Sequence, residues 1–120
     1  MIARSHRFRG RVSLRRVYRE GRSVRGPWFA IKSASNSQRK DYRAAVVVSR
    51  KVHKSAVVRN RLRRKLYEAF RALEKDIVDP YDIILTVFNT DLLESSQEAL
   101  QQKLKKQFQE AGIIARRISK

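Results

Sequence analysis

Residues 56–75 read AVVRNRLRRKLYEAFRALEK, twenty positions without a glycine or proline. Val58, Leu62, Leu66, Ala69 and Leu73 step by four, four, three and four, the spacing of a helix that buries one stripe. On a wheel of 3.6 residues per turn these five fall within an arc of about 80°. Asn60, Arg63, Arg64, Tyr67 and Arg71 fall within an arc of about 100° opposite. Arg61 and Lys65 lie between the arcs, and Arg59 sits near the apolar edge at the helix start. The pattern predicts a long helix with one side in a core and one cationic side. A solvated face usually interleaves charges of both signs for pairing at i,i+4. Here three arginines share the arc, and the nearby acid, Glu68, lies off to one side. Arginine offers a planar fork for phosphate and stacks on bases, so this face reads as a nucleic-acid contact.

The whole chain supports that reading. Its 120 residues carry 29 Lys+Arg against 11 Asp+Glu, a net charge of +18, and the pI is near 11.4. Self-repulsion on this scale calls for a polyanion, and a domain pI above about 9 is the usual footprint of nucleic acid. The length suits one domain over residues 1–120, with 42% hydrophobic residues to fill one core. Residues 1–11 and 113–120 are basic ends. The first of these superficially suits a transit peptide, but the charge excess runs on through the chain, and a cytoplasmic protein is expected. No apolar run nears the roughly 18 residues of a membrane span, so no membrane partner is expected. There are no cysteines, which excludes disulfides, thiolate zinc sites and cysteine nucleophiles.

Outward from the central helix, residues 13–21 form a short amphipathic helix: Ser13 can cap, Leu14, Val17 and Tyr18 share a face, and Gly21 suits the position after the end. Residues 27–34, with Trp28, Phe29 and Ile31, read as a strand, residues 36–41 as a polar loop and residues 42–49 as a second strand. The two strands are expected to pair as a hairpin. Trp28 and Phe29 point to opposite faces of their strand; at least one belongs to the core, and which faces outward stays open. Asp79-Pro80 stops the central helix region, and residues 81–88, YDIILTVF, read as a central strand covered on both faces. Ser95-x-x-Glu98 is a capping-box pattern opening a last helix through Leu100, Leu104, Phe108 and Ala111, with Gly112 after it. The order α-β-β-α-β-α gives an α+β sandwich, a small mixed sheet with helices packed on it.

Arg59-Asn60-Arg61-Leu62-Arg63-Arg64, continuing to Glu68-Ala69-Phe70-Arg71, resembles the signature of the bacterial ribonuclease P protein family: Arg-Asn-x-x-Lys/Arg-Arg, then Arg-Glu and an aromatic. Val48-Ser49-Arg50-Lys51 is similar to that family's Val-Ser-Lys-Lys, Ala56-Val57-Val58 leads into the motif as in the family, and residues 13–21 resemble its first helix. The resemblance spans about residues 7–111. It implies a left-handed β-α-β crossover carrying the arginine motif, which meets a catalytic RNA through Arg59, Asn60, Arg63 and Arg64. It also implies a cleft between the sheet and the first helix for the single-stranded 5′ leader of precursor tRNA, with Tyr18, Phe29 and Lys32 contributing. Leu14 holds a first-helix position that is often aromatic. Tyr67 stands where the family usually has the arginine of Arg-Glu, so that guanidinium contact does not carry over; on this chain's own wheel Tyr67 is expected to stack on RNA from the basic arc, flanked by Arg63 and Arg71. Residues 52–55 replace a shorter, glycine-containing connection.

The implied partners are the catalytic RNA and precursor tRNA, with the protein a monomer in the holoenzyme and Mg²⁺ carried by the RNA. No catalytic or metal-ligating residue is expected in the protein itself. His6 and His53 are far apart, Asp76, Asp79 and Asp82 read as turn and capping residues, and neither a phosphate loop nor a nucleophile elbow is present. The alternative by charge and size is a ribosomal or other structural RNA-binding protein, separated by the Arg59–Arg64 motif. A DNA repressor fits less well, because the long helix lacks the turn and partner helix of a helix-turn-helix.

Overall fold

The computed structural model describes residues 11–36, 41–77 and 79–114, with the side chains of residues 11–13 left aside. The basic ends up to residue 10 and from residue 115, most of the polar loop and the Ser13 cap therefore lie outside the described residues and side chains.

Among the described residues, three helices and four strands follow in the order α1 (Arg11–Glu20), β1 (Arg22–Arg25), β2 (Phe29–Ser35), β3 (Arg43–Val48), α2 (Ala56–Leu73), β4 (Tyr81–Val87) and α3 (Gln97–Ala111). Short 3₁₀ turns extend α2 over Glu74–Asp76 and lead into α3 over Thr90–Leu93. The sheet order is β1-β2-β4-β3. The α+β arrangement stands, but the hairpin of the two early strands does not. β2 pairs antiparallel with β1 and β4, while β3 lies parallel to β4 on its far side. β4 takes the centre because it is the strand with apolar side chains on both faces. Ile83, Leu85 and Val87 point into the main core and Ile84 to the opposite face, where α1 lies against β2 and β4. The strand β1, RSVR, has neither alternation nor apolar bulk, and its edge position explains why such a sequence is tolerated there.

α2 and α3 cover the other face. Leu62, Leu66, Ala69, Phe70 and Leu73 meet Leu100, Leu104 and Phe108 over the β3 and β4 side chains, with the Phe70 and Phe108 rings 5.3 Å apart. Ser55 caps α2 by accepting from the Val58 amide. The cap of α3 is one residue later than the pattern suggests: Ser96 accepts from the Ala99 amide, while the Ser95 hydroxyl donates to Leu92 O. Gly112 ends α3 with φ 78°, a left-handed turn suited to glycine, and the Ile113 amide returns to Phe108 O at 2.9 Å. Gly21 ends α1 for a different reason: a Cβ there would sit 2.3 Å from Val17 O.

Candidate nucleic-acid interface

α2 is buried by two neighbours at different azimuths, β3 on one side and α3 on the other. Its buried arc is therefore about twice as wide as the apolar stripe alone implies, taking in Phe70 and Tyr67. Tyr67 corrects the expectation of a stacking residue in the basic arc. Its ring lies in the core beside Phe70, and its hydroxyl accepts from the amide of Val46 on edge strand β3 at 3.2 Å. A free edge amide under a helix needs such a partner.

The arc left to solvent carries Asn60, Arg61, Arg64 and Arg71, together with Glu68. Arg61, Arg64 and Arg71 enter no salt bridge with another described residue. Arg63 is half-buried and donates to Asn60 Oδ1, which orients both side chains from one turn of the helix. Arg59 has a structural task as well: its Nη1 donates to His53 O at 3.0 Å and Lys54 O at 2.8 Å, fastening the connection that precedes α2. His53 Nδ1 in turn accepts from the Ser55 amide. Lys65, between the arcs, donates to Leu93 O and Ser95 O and ties α2 to the turn before α3.

The second surface is the sheet face beneath α1. Strand pairing lays out three rungs on it: Ala34, Asp82 and Arg43; Ser23, Lys32, Ile84 and Ala45; then Arg25, Ala30, Thr86 and Val47. At the first rung, fully buried Asp82 accepts from Arg43 Nε and Nη2 at 2.9 and 2.8 Å, from Arg16 of α1 at 2.9 Å and from Asn36 Nδ2 at 3.0 Å. Burial alone raises a carboxyl pKa, yet these donors outweigh it and hold Asp82 below the ordinary carboxylate range. Asp82 is thus a charged node inside the sheet rather than a turn residue.

Beyond that node the face opens. Lys32, Ala30, Thr86, Ala45 and Val47 are all partly accessible, and Tyr18 of α1 is 47% exposed. Phe29 corrects the expected leader-cleft set: it is fully buried on the opposite face, against α3, where the Gln107 amide donates to its carbonyl at 3.2 Å. Trp28 is half-buried with Lys103 over its ring at 4.9 Å. Tyr18 on α1 and Lys32 on the sheet both stay accessible. Among the described residues no three His, Asp or Glu side chains gather as metal ligands would, and no helix is long and apolar enough to cross a membrane.

The sequence profile of the family described as Ribonuclease P matches residues 2–112. The chain belongs to the ribonuclease P protein family. The ribonuclease P protein component of Synechococcus elongatus is 35% identical over 116 residues, covering 94% of this chain and 95% of the relative. That of Chloroflexus aurantiacus is 32% identical over 113 residues, covering 94% and 82%. The ribonuclease P protein of Thermotoga maritima superposes with a TM-score of 0.74 at 25% identity, covering 83% of this chain and 92% of that one. The Staphylococcus aureus protein shares the fold, with a TM-score of 0.78 at 24% identity, over 91% and 97%.

As a ribonuclease P protein component, the chain is the RNA-binding subunit of the holoenzyme that processes tRNA 5′ ends, and the ribonuclease P RNA is its partner. The ribosomal-protein alternative is not favoured. Sequence reasoning passed over Arg16 and Arg43, which hold α1 and β3 to Asp82 at one end of the sheet face. The period-two pattern of β3, Arg43-Ala44-Ala45-Val46-Val47-Val48, places Arg43 opposite the core-facing set and was the available signal for it.

Proposed function

We propose that two surfaces of this subunit divide the RNA between them. The exposed face of α2, with Asn60, Arg61, Arg64 and Arg71 and with Arg63 held at its edge, grips phosphates of the catalytic RNA. The cleft between α1 and the sheet, with Tyr18 and Lys32, holds the single-stranded 5′ leader of precursor tRNA. The protein acts as a cytoplasmic monomer in the holoenzyme, the β3-α2-β4 crossover is left-handed, and Mg²⁺ is carried by the RNA. The observation behind this reading is the exposed arginine arc on a helix whose other side is fully committed to the core. Single-stranded RNA is held by aromatic stacking and a cationic groove, which Tyr18 and Lys32 supply over a floor of small side chains.

Crosslinking the protein to RNA in cells and sequencing the attached RNA tests the assignment. Reads should concentrate in one long structured RNA and in tRNA 5′ leaders. Reads spread over ribosomal RNA would overturn it.

A further inference from the structure

Phe88 follows β4 on the same face as Ile84 and Thr86, about 7 Å beyond Thr86 along the strand. It is half-buried, and exposed Arg25 of edge strand β1 lies above it, with the guanidinium carbon 4.2 Å from the ring centroid. Both are held from the backbone. Phe88 donates its amide to Trp28 O at 3.1 Å, and Arg25 pairs with Ala30 across the sheet. Ala30 then pairs with Thr86, and Thr86 with Val47, so a shelf of small side chains leads from the cleft up to the ring.

The geometry points to Phe88, with Arg25 over it, as a stacking subsite for one unpaired base of the leader, beyond the part of the cleft that α1 covers. This deepens the leader reading above and rests on it. A guanidinium and a nucleobase are both flat and both pack on an aromatic face, so the position of Arg25 marks a ring face that admits a planar group. Arg25 is long enough to lift and meet the neighbouring phosphate while the base takes the ring, or to sandwich the base. Charge favours RNA over an apolar or cationic occupant. On the sheet's own face the one acid among the described residues is Asp82, already engaged by Arg16 and Arg43, whereas Arg25 and Lys32 flank the shelf.

The test uses holoenzyme reconstituted with the catalytic RNA, and compares dissociation constants for precursor tRNA carrying a leader of about ten nucleotides and for mature tRNA lacking one. A stacked base is worth about tenfold in affinity, so Phe88→Ala should bind the long-leader precursor about tenfold more weakly and mature tRNA unchanged. Phe88→Tyr, which keeps the ring, should restore wild-type affinity. Arg25→Ala should lower the salt slope for the precursor by about one, which Phe88→Ala should not. The carbonyl of Trp28, the single tryptophan, accepts from the Phe88 amide, and the fluorescence of this residue in the free protein should be quenched by single-stranded oligoribonucleotide in the wild type and less so in Phe88→Ala. Should Phe88→Ala fail to fold, Phe88→Leu replaces it with the same expectation. Equal losses for precursor and mature tRNA, an unchanged precursor affinity, or failure of Phe88→Tyr to rescue would overturn the subsite. If Tyr18→Ala and Lys32→Ala also spare the precursor, the leader reading itself fails; if they weaken it while Phe88→Ala does not, only the subsite fails.

Discussion

The Asp82 carboxylate of β4 joins Arg16 of α1 to Arg43 of β3, at 2.9 Å and 2.8 Å, from a position with no solvent exposure. α1 is short, and Val17 is its one fully buried apolar side chain among those described, so the Arg16 contact carries much of its seating on the sheet. The carboxylate thereby sets the wall of the cleft in which the leader is proposed to lie.

Replacing Asp82 by Asn should cost about 3 kcal/mol of stability, because Arg43 is left largely buried without its counter-charge. The pH dependence follows from the depressed pKa. A carboxyl with a folded-state pKa below its unfolded value contributes stability that is complete above the ordinary carboxylate range and is lost as pH falls through the folded-state value. The wild-type advantage over Asp82→Asn in thermal midpoint should accordingly hold from neutral pH to about pH 5 and shrink below about pH 4. A difference independent of pH would show that the charge of Asp82 does not contribute.

Tyr67→Phe removes the partner of the Val46 amide and should destabilise by about 1–2 kcal/mol. RNA affinity should be unchanged, since the hydroxyl faces β3 rather than the exposed arc. Thermal unfolding and a binding titration on one preparation separate the two effects; weakened RNA binding at full stability would return Tyr67 to the interface.

Arg61→Ala combined with Arg64→Ala should weaken binding to the catalytic RNA by about 2–5 kcal/mol, from about 1–3 per charge-assisted contact. The logarithmic salt slope should flatten by about two, with the thermal midpoint nearly intact because both side chains are exposed. Arg59→Ala should behave differently, loosening residues 53–55 and lowering stability through the loss of two carbonyl contacts. Hydrogen exchange over residues 53–58 distinguishes the two variants.

Several elements were open to reading from residue types alone. α2 was legible because its apolar steps and lack of breakers describe a helix directly, and β4 because seven residues of mostly branched bulk have nowhere to go but the centre of a sheet. Gly112 declared the end of α3. What failed depended on partners far away in sequence. Nothing local in RSVR marks a strand until β2 offers it an edge. Phe70 and Tyr67 are buried because a third helix and an edge strand both reach α2, which a wheel drawn for one interface does not capture. Phe29 was a choice between two strand faces that only pairing with β4 resolves. Asp82 looked like a turn acid because its three donors come from residues 16, 36 and 43. The exposed arginines of α2 were found by pattern, and their division from Arg59 and Arg63, which bond within the fold, required coordinates.

Reconstituted cleavage of precursor tRNA tests the central claim most directly. The purified protein alone should leave the precursor intact, and the protein with the catalytic RNA should remove the 5′ leader at lower Mg²⁺ than the RNA requires by itself, because the cationic subunit offsets phosphate repulsion. Leader removal at the correct site by the protein without RNA, or a Mg²⁺ requirement unchanged by the protein, would contradict the account.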